Sequence, residues 1–277
     1  MKVLANDGIS ASGISALKNA GYTVITDNVK QEELIDYINK EDIGVLLVRS
    51  ATTARQDMID ACPGLKLLGR GGVGMDNIDV QYARDNGRTV VNTPAASSQS
   101  VAELVMGHLF AISRFLNDSY KNMESGDFST LKKKYGKGVE LKGKNLTIVG
   151  FGRIGQSLAE YAIGCGMNVT AVDMNIEPRA ISIHIPKQAD GSAVITKKEF
   201  ALMKDGVRIA NAARGGVINE DDLLGALSTN KVAGIALDVF ENEPNPRKDL
   251  LNHPKIACTP HIGAATGEAQ DRIGTEL

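Results

Sequence analysis

Asn145-Leu146-Thr147-Ile148-Val149-Gly150-Phe151-Gly152-Arg153-Ile154-Gly155 decides the reading of this 277-residue chain. The first five residues have the apolar, β-branched character of a buried strand, and Gln156 to Gly164 continues as a helix. Between them stands G-x-G-x-x-G. The first glycine permits a tight turn, the second lets backbone approach a pyrophosphate, and the third allows close helix-to-strand packing. The helix N-terminus presents unpaired N–H groups and a partial positive charge to that pyrophosphate. Asp173 ends the next strand, Met167 to Val172, where a carboxylate accepts hydrogen bonds from an adenosine ribose and repels a 2′-phosphate, so the expected cofactor is NAD rather than NADP. The plainer alternative is a βα turn with Asp173 capping a strand. In the first reading Gly150, Gly152, Gly155 and Asp173 hold the cofactor in a Rossmann domain.

Outward from this turn, Ile181 to Ile185, Val207 to Ala210 and Ile235 to Val239 read as further strands. Only seven residues separate Asp173 from Ile181, fewer than a parallel crossover needs, so either the chain carries a deletion there or, the preferred reading, residues are missing. Upstream, short β-branched runs alternate with amphipathic stretches: Lys2 to Ala5, Ser10 to Asn19, Tyr22 to Thr26, Gln31 to Asn39, Ile43 to Val48, Arg55 to Ala61, Leu65 to Leu68, Val80 to Asn86 and Thr89 to Val91. That βα alternation implies a second parallel sheet with helices on both faces, and ligands bind at the carboxyl ends of such strands. From Ser97 one long helix, with Val101, Leu104, Val105, His108, Leu109, Ile112 and Phe115 at helical spacing, links the two domains. Gly126 to Lys144, with Lys132-Lys133-Lys134, reads as a polar surface connection whose lysines are solvated or, less plainly, hold an anion. The fold class is α/β, two doubly wound parallel-sheet domains, bounded at 1–96 plus 265–277 and at 97–264.

With 31 basic against 33 acidic side chains the net charge is −2, so no whole-molecule field holds nucleic acid or an anionic membrane. Hydrophobic residues at 43% exclude a disordered chain. Cys62, Cys165 and Cys258 lie far apart without a C-x-x-C, which suggests neither a disulfide framework nor a metal site. The N-terminus reaches Asp7 before a secretory apolar region could form, and the expected location is cytoplasmic.

Three later segments carry unusual side chains: Asn211-Ala212-Ala213-Arg214-Gly215-Gly216, Asp238-Val239-Phe240-Glu241-Asn242-Glu243-Pro244, and Thr259-Pro260-His261-Ile262-Gly263. The first two directly follow strands of the nucleotide-binding unit. Oxidising an alcohol to a ketone needs a base near neutral pH, for which His261 is the candidate. A carboxylate beside it, Glu243, would fix the tautomer and stabilise the imidazolium. Arg214 offers a planar fork of donors for a substrate carboxylate. The same residue types also make ordinary surface ion pairs. His108, His184 and His253 are expected to have no chemical role.

At these residues the chain resembles the D-isomer-specific 2-hydroxyacid dehydrogenase family. The resemblance rests on Val48-Arg49-Ser50-Ala51-Thr52, Gly69-Arg70-Gly71-Gly72-Val73-Gly74-Met75-Asp76-Asn77, the glycine turn and the three later segments. It implies that His261 is the acid/base, Glu243 its partner and Arg214 the substrate-orienting residue. It implies that Arg153, Ile154, Asp173, Ala212, Ala213, Asp238 and Gly263 contact NAD, with Asp238 near the nicotinamide amide. Arg49, Ser50, Gly72, Val73 and Gly74 would line the substrate loop of a flavodoxin-like outer domain, completed by a returning C-terminal helix. A homodimer built around the helix from Ser97 is also implied. The branch it most resembles oxidises 3-phosphoglycerate to 3-phosphohydroxypyruvate, the first committed step of serine synthesis. Reduction of glyoxylate or hydroxypyruvate, or oxidation of another D-2-hydroxy acid, is the alternative. NAD-sensing corepressors share the resemblance, but this chain shows no basic tail or disordered arm.

Overall fold

The computed structural model describes residues 1–124, 126–173, 188 and 190–277. They divide into two compact units, Met1–Ser98 with Ala264–Leu277, and Gln99–Gly263.

The first unit carries five parallel strands, β1 (Lys2–Ala5), β2 (Thr23–Ile25), β3 (Ile43–Val48), β4 (Leu67–Arg70) and β5 (Thr89–Asn92), in the order β2-β1-β3-β4-β5. This is the flavodoxin-like order, in which the chain reverses direction beside β1. All six residues of β3 are buried, as a central strand covered on both faces requires. Leu4, Leu46, Val48 and Leu68 enter one apolar layer, and Val3, Ala5, Val45 and Leu47 the other. Helices α1 (Ala11–Asn19), α2 (Leu34–Lys40), α3 (Gln56–Ala61) and α4 (Val80–Asp85) form the crossovers. The strand expected at Leu65 to Leu68 begins at Leu67 instead. Leu65 is buried from a turn, its N–H donating to Cys62 O, so its apolar character reflects burial rather than strand pairing.

The C-terminal helix of this unit packs on α1 at the closest approach backbone allows. A Cβ on Gly13 would lie 2.5 Å from Gly274 O, and one on Gly274 would lie 2.0 Å from Ser10 Oγ. Two glycines facing each other let the helices touch, which places the chain's last residues in the same compact unit as its first.

In the second unit, α5 (Ser98–Arg114) ends where Phe115 takes a left-handed conformation, φ 56°. The expected continuous helix is thus broken at Phe115, and α6 (Leu116–Asn122) starts anew. Phe115 pairs its ring with Tyr135, centroids 6.2 Å apart, a tertiary contact that helical periodicity does not encode. Gly126 to Lys144 is not a bare connection: α7 (Phe128–Tyr135) lies within it, its first turn capped by Asp127, which accepts from Thr130 N at 2.8 Å. Lys134 of the lysine run pairs with Asp118 at 2.7 Å.

The remaining described elements of this unit are β6 (Asn145–Val149), α8 (Arg153–Gly164), β7 (Asn168–Val172), α9 (Lys197–Leu202), β8 (Val207–Asn211), α10 (Glu220–Ser228), β9 (Val232–Leu237), α11 (Lys248–Leu251) and β10 (Ile256–Cys258). The last element of the chain, in the first unit, is α12 (Gly267–Glu276). Among the described residues β6 pairs with β7, and β10-β9-β8 form a parallel set. β9 runs from Val232 to Leu237 rather than from Ile235 to Val239, because the chain turns at Asp238. The strand expected at Ile181 to Ile185, His184, and the short link after Asp173 lie outside the described residues. No described helix is long and apolar enough to cross a membrane.

Candidate active site

The second unit brings the ends of β8, β9 and β10 together through their following loops. After β8, Asn211 Oδ1 accepts from Ala213 N at 3.1 Å and Asn211 Nδ2 donates to Arg214 O at 3.1 Å, folding the Ala212–Arg214 turn around one amide. Arg214 Nη1 donates to Ala213 O at 2.7 Å. Gly215 then lies flush on the loop after β9, where a Cβ would sit 1.8 Å from Phe240 O.

In that second loop, Glu243 Oε1 accepts from Phe240 N at 2.9 Å, and Glu243 Oε2 stands 2.7 Å from His261 Nδ1. A carboxylate only accepts, so Nδ1 carries a proton, and in the neutral imidazole Nε2 then presents a lone pair. His261 itself has φ 54°, unusual for a non-glycine residue.

The turn holding His261 is wrapped around a buried carboxylate. Asp238, 1% exposed, accepts on Oδ1 from Thr259 Oγ1 at 2.5 Å and from Ile262 N at 2.9 Å, and on Oδ2 from Gly263 N at 2.8 Å. Several donors from one turn converge on one anion, an arrangement worth more than neutral hydrogen bonds. Sequence reasoning assigned Asp238 to the cofactor and passed over its grip on the His261 turn.

His108, expected to be inert, belongs to this network. Its Nε2 lies 3.1 Å from Thr259 Oγ1, and since that hydroxyl donates to Asp238, His108 Nε2–H is the donor to it. Burial lowers the His108 imidazole below its ordinary value, against the opposing pull of Asp238. The unfolded chain therefore takes up a proton before the folded one does, and the stability contributed by neutral His108 is present above about pH 6.5 and is lost as pH falls below it through the lower folded-state value. His108→Met is expected to flatten the fall of Tm between about pH 7 and pH 5; parallel curves for the two proteins would contradict it. The His253 ring accepts on Nδ1 from Lys255 N at 3.2 Å, within a local turn.

Residues 106–180 and 177–263 match the family model for the D-isomer specific 2-hydroxyacid dehydrogenase, NAD binding domain. A hydroxypyruvate reductase of Thermotoga maritima is 40% identical over the whole chain and 95% of its own length. The chain belongs to the D-isomer specific 2-hydroxyacid dehydrogenase family. A D-3-phosphoglycerate dehydrogenase of Methanocaldococcus jannaschii is 38% identical over 99% of the chain, which spans 56% of that protein. Among solved structures, a glyoxylate reductase from Paecilomyes thermophila superposes with a TM-score of 0.87 at 28% identity, over 98% of this chain and 91% of that one. The Thermotoga alignment runs over 297 positions against 277 residues, so at least 20 have no counterpart here. The family model also breaks into two blocks that meet at 177–180.

The family's NAD fits the glycine turn of this unit. Gly150 has φ 88°, and a Cβ on Gly155 would meet Gly150 O at 2.3 Å, so both are required by the turn itself. Gly152 differs: its backbone is extended, it caps α8 without a side-chain bond, and a Cβ there would meet nothing within 4 Å. That open space over the N-terminus of α8 is where a pyrophosphate needs to approach. Arg153 and Ile154 form the first turn of α8, and Asp173 Oδ2 accepts from Phe151 N at 2.9 Å, tying the end of β7 to the turn. Gly152→Val is therefore expected to leave Tm unchanged and to weaken NADH binding about tenfold or more, ~1.4 kcal/mol, as read by NADH fluorescence titration. Unchanged affinity would remove Gly152 from the cofactor site.

The first unit holds the remaining predicted residues at the carboxyl ends of β3 and β4. Asp7 Oδ2 accepts from Arg49 N at 2.6 Å and Thr52 N at 3.1 Å, and Asn77 Nδ2 donates to Arg49 O and Thr52 O at 2.8 and 2.6 Å. The Arg49–Thr52 loop, including Ser50, is thereby held from both sides. Gly72 has φ 146° with the Arg70 guanidinium against it, and its N–H donates to Thr93 Oγ1 at 2.8 Å. Asn92 Nδ2 donates to Val73 O at 2.7 Å, next to Gly74. Asp7 and Thr93 follow the ends of β1 and β5 and Asn77 closes the Gly69–Asn77 segment, but none of the three was given a role from sequence.

Proposed function

We propose that this dehydrogenase interconverts a D-2-hydroxy acid and its 2-oxo acid with NAD, using His261 as acid/base, Glu243 as its partner and Arg214 to hold the substrate carboxylate. The observation that carries this is the 2.7 Å bond between His261 Nδ1 and Glu243 Oε2. It leaves Nε2 as the base that takes the hydroxyl proton, and the resulting imidazolium gains the adjacent carboxylate as counter-ion. Gly150, Gly152, Arg153, Ile154, Gly155, Asp173, Ala212, Ala213, Asp238 and Gly263 would hold NAD, which when bound would supply the hydride acceptor for C2. The Arg214 fork orients the carboxylate so that C2–H and the hydroxyl present to their acceptors in one geometry. In the reverse direction His261 returns the proton to the forming alkoxide.

The substrate we propose is 3-phosphoglycerate, oxidised to 3-phosphohydroxypyruvate in serine synthesis. Arg49 and Arg70 follow and end adjacent parallel strands, beside Ser50, Gly72, Val73 and Gly74, and two guanidiniums suit a substrate bearing a phosphate as well as a carboxylate. Hydroxypyruvate or glyoxylate reduction is the second reading, favoured by the Thermotoga relative's identity across nearly its full length. Steady-state rates with D-3-phosphoglycerate, D-glycerate and glycolate, with NAD and NADP, decide between them. The first reading expects the highest kcat/KM for D-3-phosphoglycerate with NAD; a preference for the unphosphorylated acids overturns it.

We also propose a cytoplasmic homodimer formed through α5 to α7. Leu116, Tyr120, Met123 and Phe128 are all more than half exposed along this stretch, and Phe110 of α5 is exposed as well. Sedimentation is expected to give twice the chain mass of 29.4 kDa.

A further inference from the structure

Glu220 is the first residue of α10 and is 5% exposed. Its Oε1 accepts from Glu241 N at 2.9 Å, while Glu241 Oε1 accepts from Glu220 N at 3.1 Å. Each glutamate thus binds the other's backbone. The arrangement is costly: a buried carboxylate faces a like charge, and Glu220 Oε2 is buried with no hydrogen-bond partner. Burial pushes the Glu220 carboxyl above its ordinary range, with Glu241 and Asp249 adding to the rise, and the Glu241 N–H and Arg247 opposing it. A costly pair at one place calls for a reason there.

Glu241 stands two residues before Glu243. The Glu243 and His261 side chains are 36% and 45% exposed, so packing alone does not fix their rotamers; the backbone turn from which Glu243 projects has to be held instead. Phe240 N donates to Glu243 within that turn, and Glu241 N donates out of it to Glu220. The turn is therefore anchored to the N-terminus of α10 one residue from the atom that positions Glu243.

We infer that Glu220 is a positioning residue for the His261–Glu243 pair, stapling the Phe240–Glu243 turn to α10 so that Glu243 meets His261. This rests on the catalytic reading of His261 above.

Glu220→Ala removes the acceptor for Glu241 N. It is expected to lower kcat about 10- to 100-fold, the effect of a sub-ångström to 1 Å displacement of a reacting group, while the Kd for NADH stays within about twofold. Glu220→Gln keeps a carbonyl acceptor in the same place and is expected to recover kcat to within about threefold of wild type. Should Glu220→Ala not fold, Glu241→Ala at an exposed position breaks the other half of the clamp and is expected to lower kcat with Tm unchanged. Wild-type kcat in Glu220→Ala and Glu241→Ala overturns the inference. So does a Glu220→Gln as slow as Glu220→Ala, or a joint loss of kcat and NADH affinity, which marks a structural role. His261→Gln is measured alongside: if it is inactive and the clamp variants are normal, only the positioning role fails, whereas an active His261→Gln overturns both readings.

Discussion

Replacing His261 with glutamine is expected to lower kcat by about 10²–10⁴-fold, the contribution of a positioned general base, with NADH affinity changed by less than about twofold. Glutamine preserves the approximate size of the imidazole and can still donate a hydrogen bond toward Glu243, but it cannot accept a proton at neutral pH. The positive φ of His261 is held by the bonds that Thr259, Ile262 and Gly263 make to Asp238, none of which uses the imidazole. The turn should survive the substitution and the chemistry should not. Steady-state and NADH-titration measurements on the same preparation separate the two, and a variant retaining more than about a tenth of wild-type kcat would remove His261 from the reaction.

Gly215→Ala is the second substitution with a large expected effect, and it acts without touching a titratable group. The added methyl would lie 1.8 Å from Phe240 O, 2.3 Å from Phe240 C and 3.0 Å from Glu241 N. All three are backbone atoms, so no rotamer change relieves the clash, and the loops carrying Arg214 and Glu243 must separate. Overpacking of this kind costs about 1–3 kcal/mol, a fall in Tm of about 2–10 °C. Because the loops part where the proposed catalytic groups sit, kcat/KM is expected to fall about 100-fold. Gly152→Val provides the contrast, with cofactor affinity lost and Tm kept. Wild-type Tm and kcat/KM in Gly215→Ala would mean that the two loops are not packed together as described.

Much of the fold is legible in local pattern because its strands are buried on both faces. Ile43-Gly44-Val45-Leu46-Leu47-Val48 can hardly be read otherwise than as a central strand, and Gly150 and Gly155 specify a turn that other residues cannot make. The features missed depend on partners remote in sequence. Phe115 ends α5 where its ring meets Tyr135, and α7 is hidden by its lysines although Asp127 is a good N-cap. In the site, His261, Glu243 and Arg214 stand out by residue type beside strand ends. His108, Thr259 and Glu220 do not, because a buried histidine in a helix or a glutamate in a first helical turn looks ordinary until its neighbour is known. Asp238 was placed against NAD through the family resemblance, while its bonds to Ile262 and Gly263 needed the two loops brought together.

The central claim is transfer of hydride between C2 of a D-2-hydroxy acid and the nicotinamide ring at a site where His261 handles the proton. The most direct measurement is reduction of hydroxypyruvate and of 3-phosphohydroxypyruvate with NADH dideuterated at nicotinamide C4, followed by analysis of the product at C2. Deuterium at C2 of the D-isomer in wild type, and a rate lower by about 10²–10⁴-fold in His261→Gln, is the predicted result. Product without deuterium at C2, product of the L configuration, or undiminished turnover in His261→Gln would contradict it.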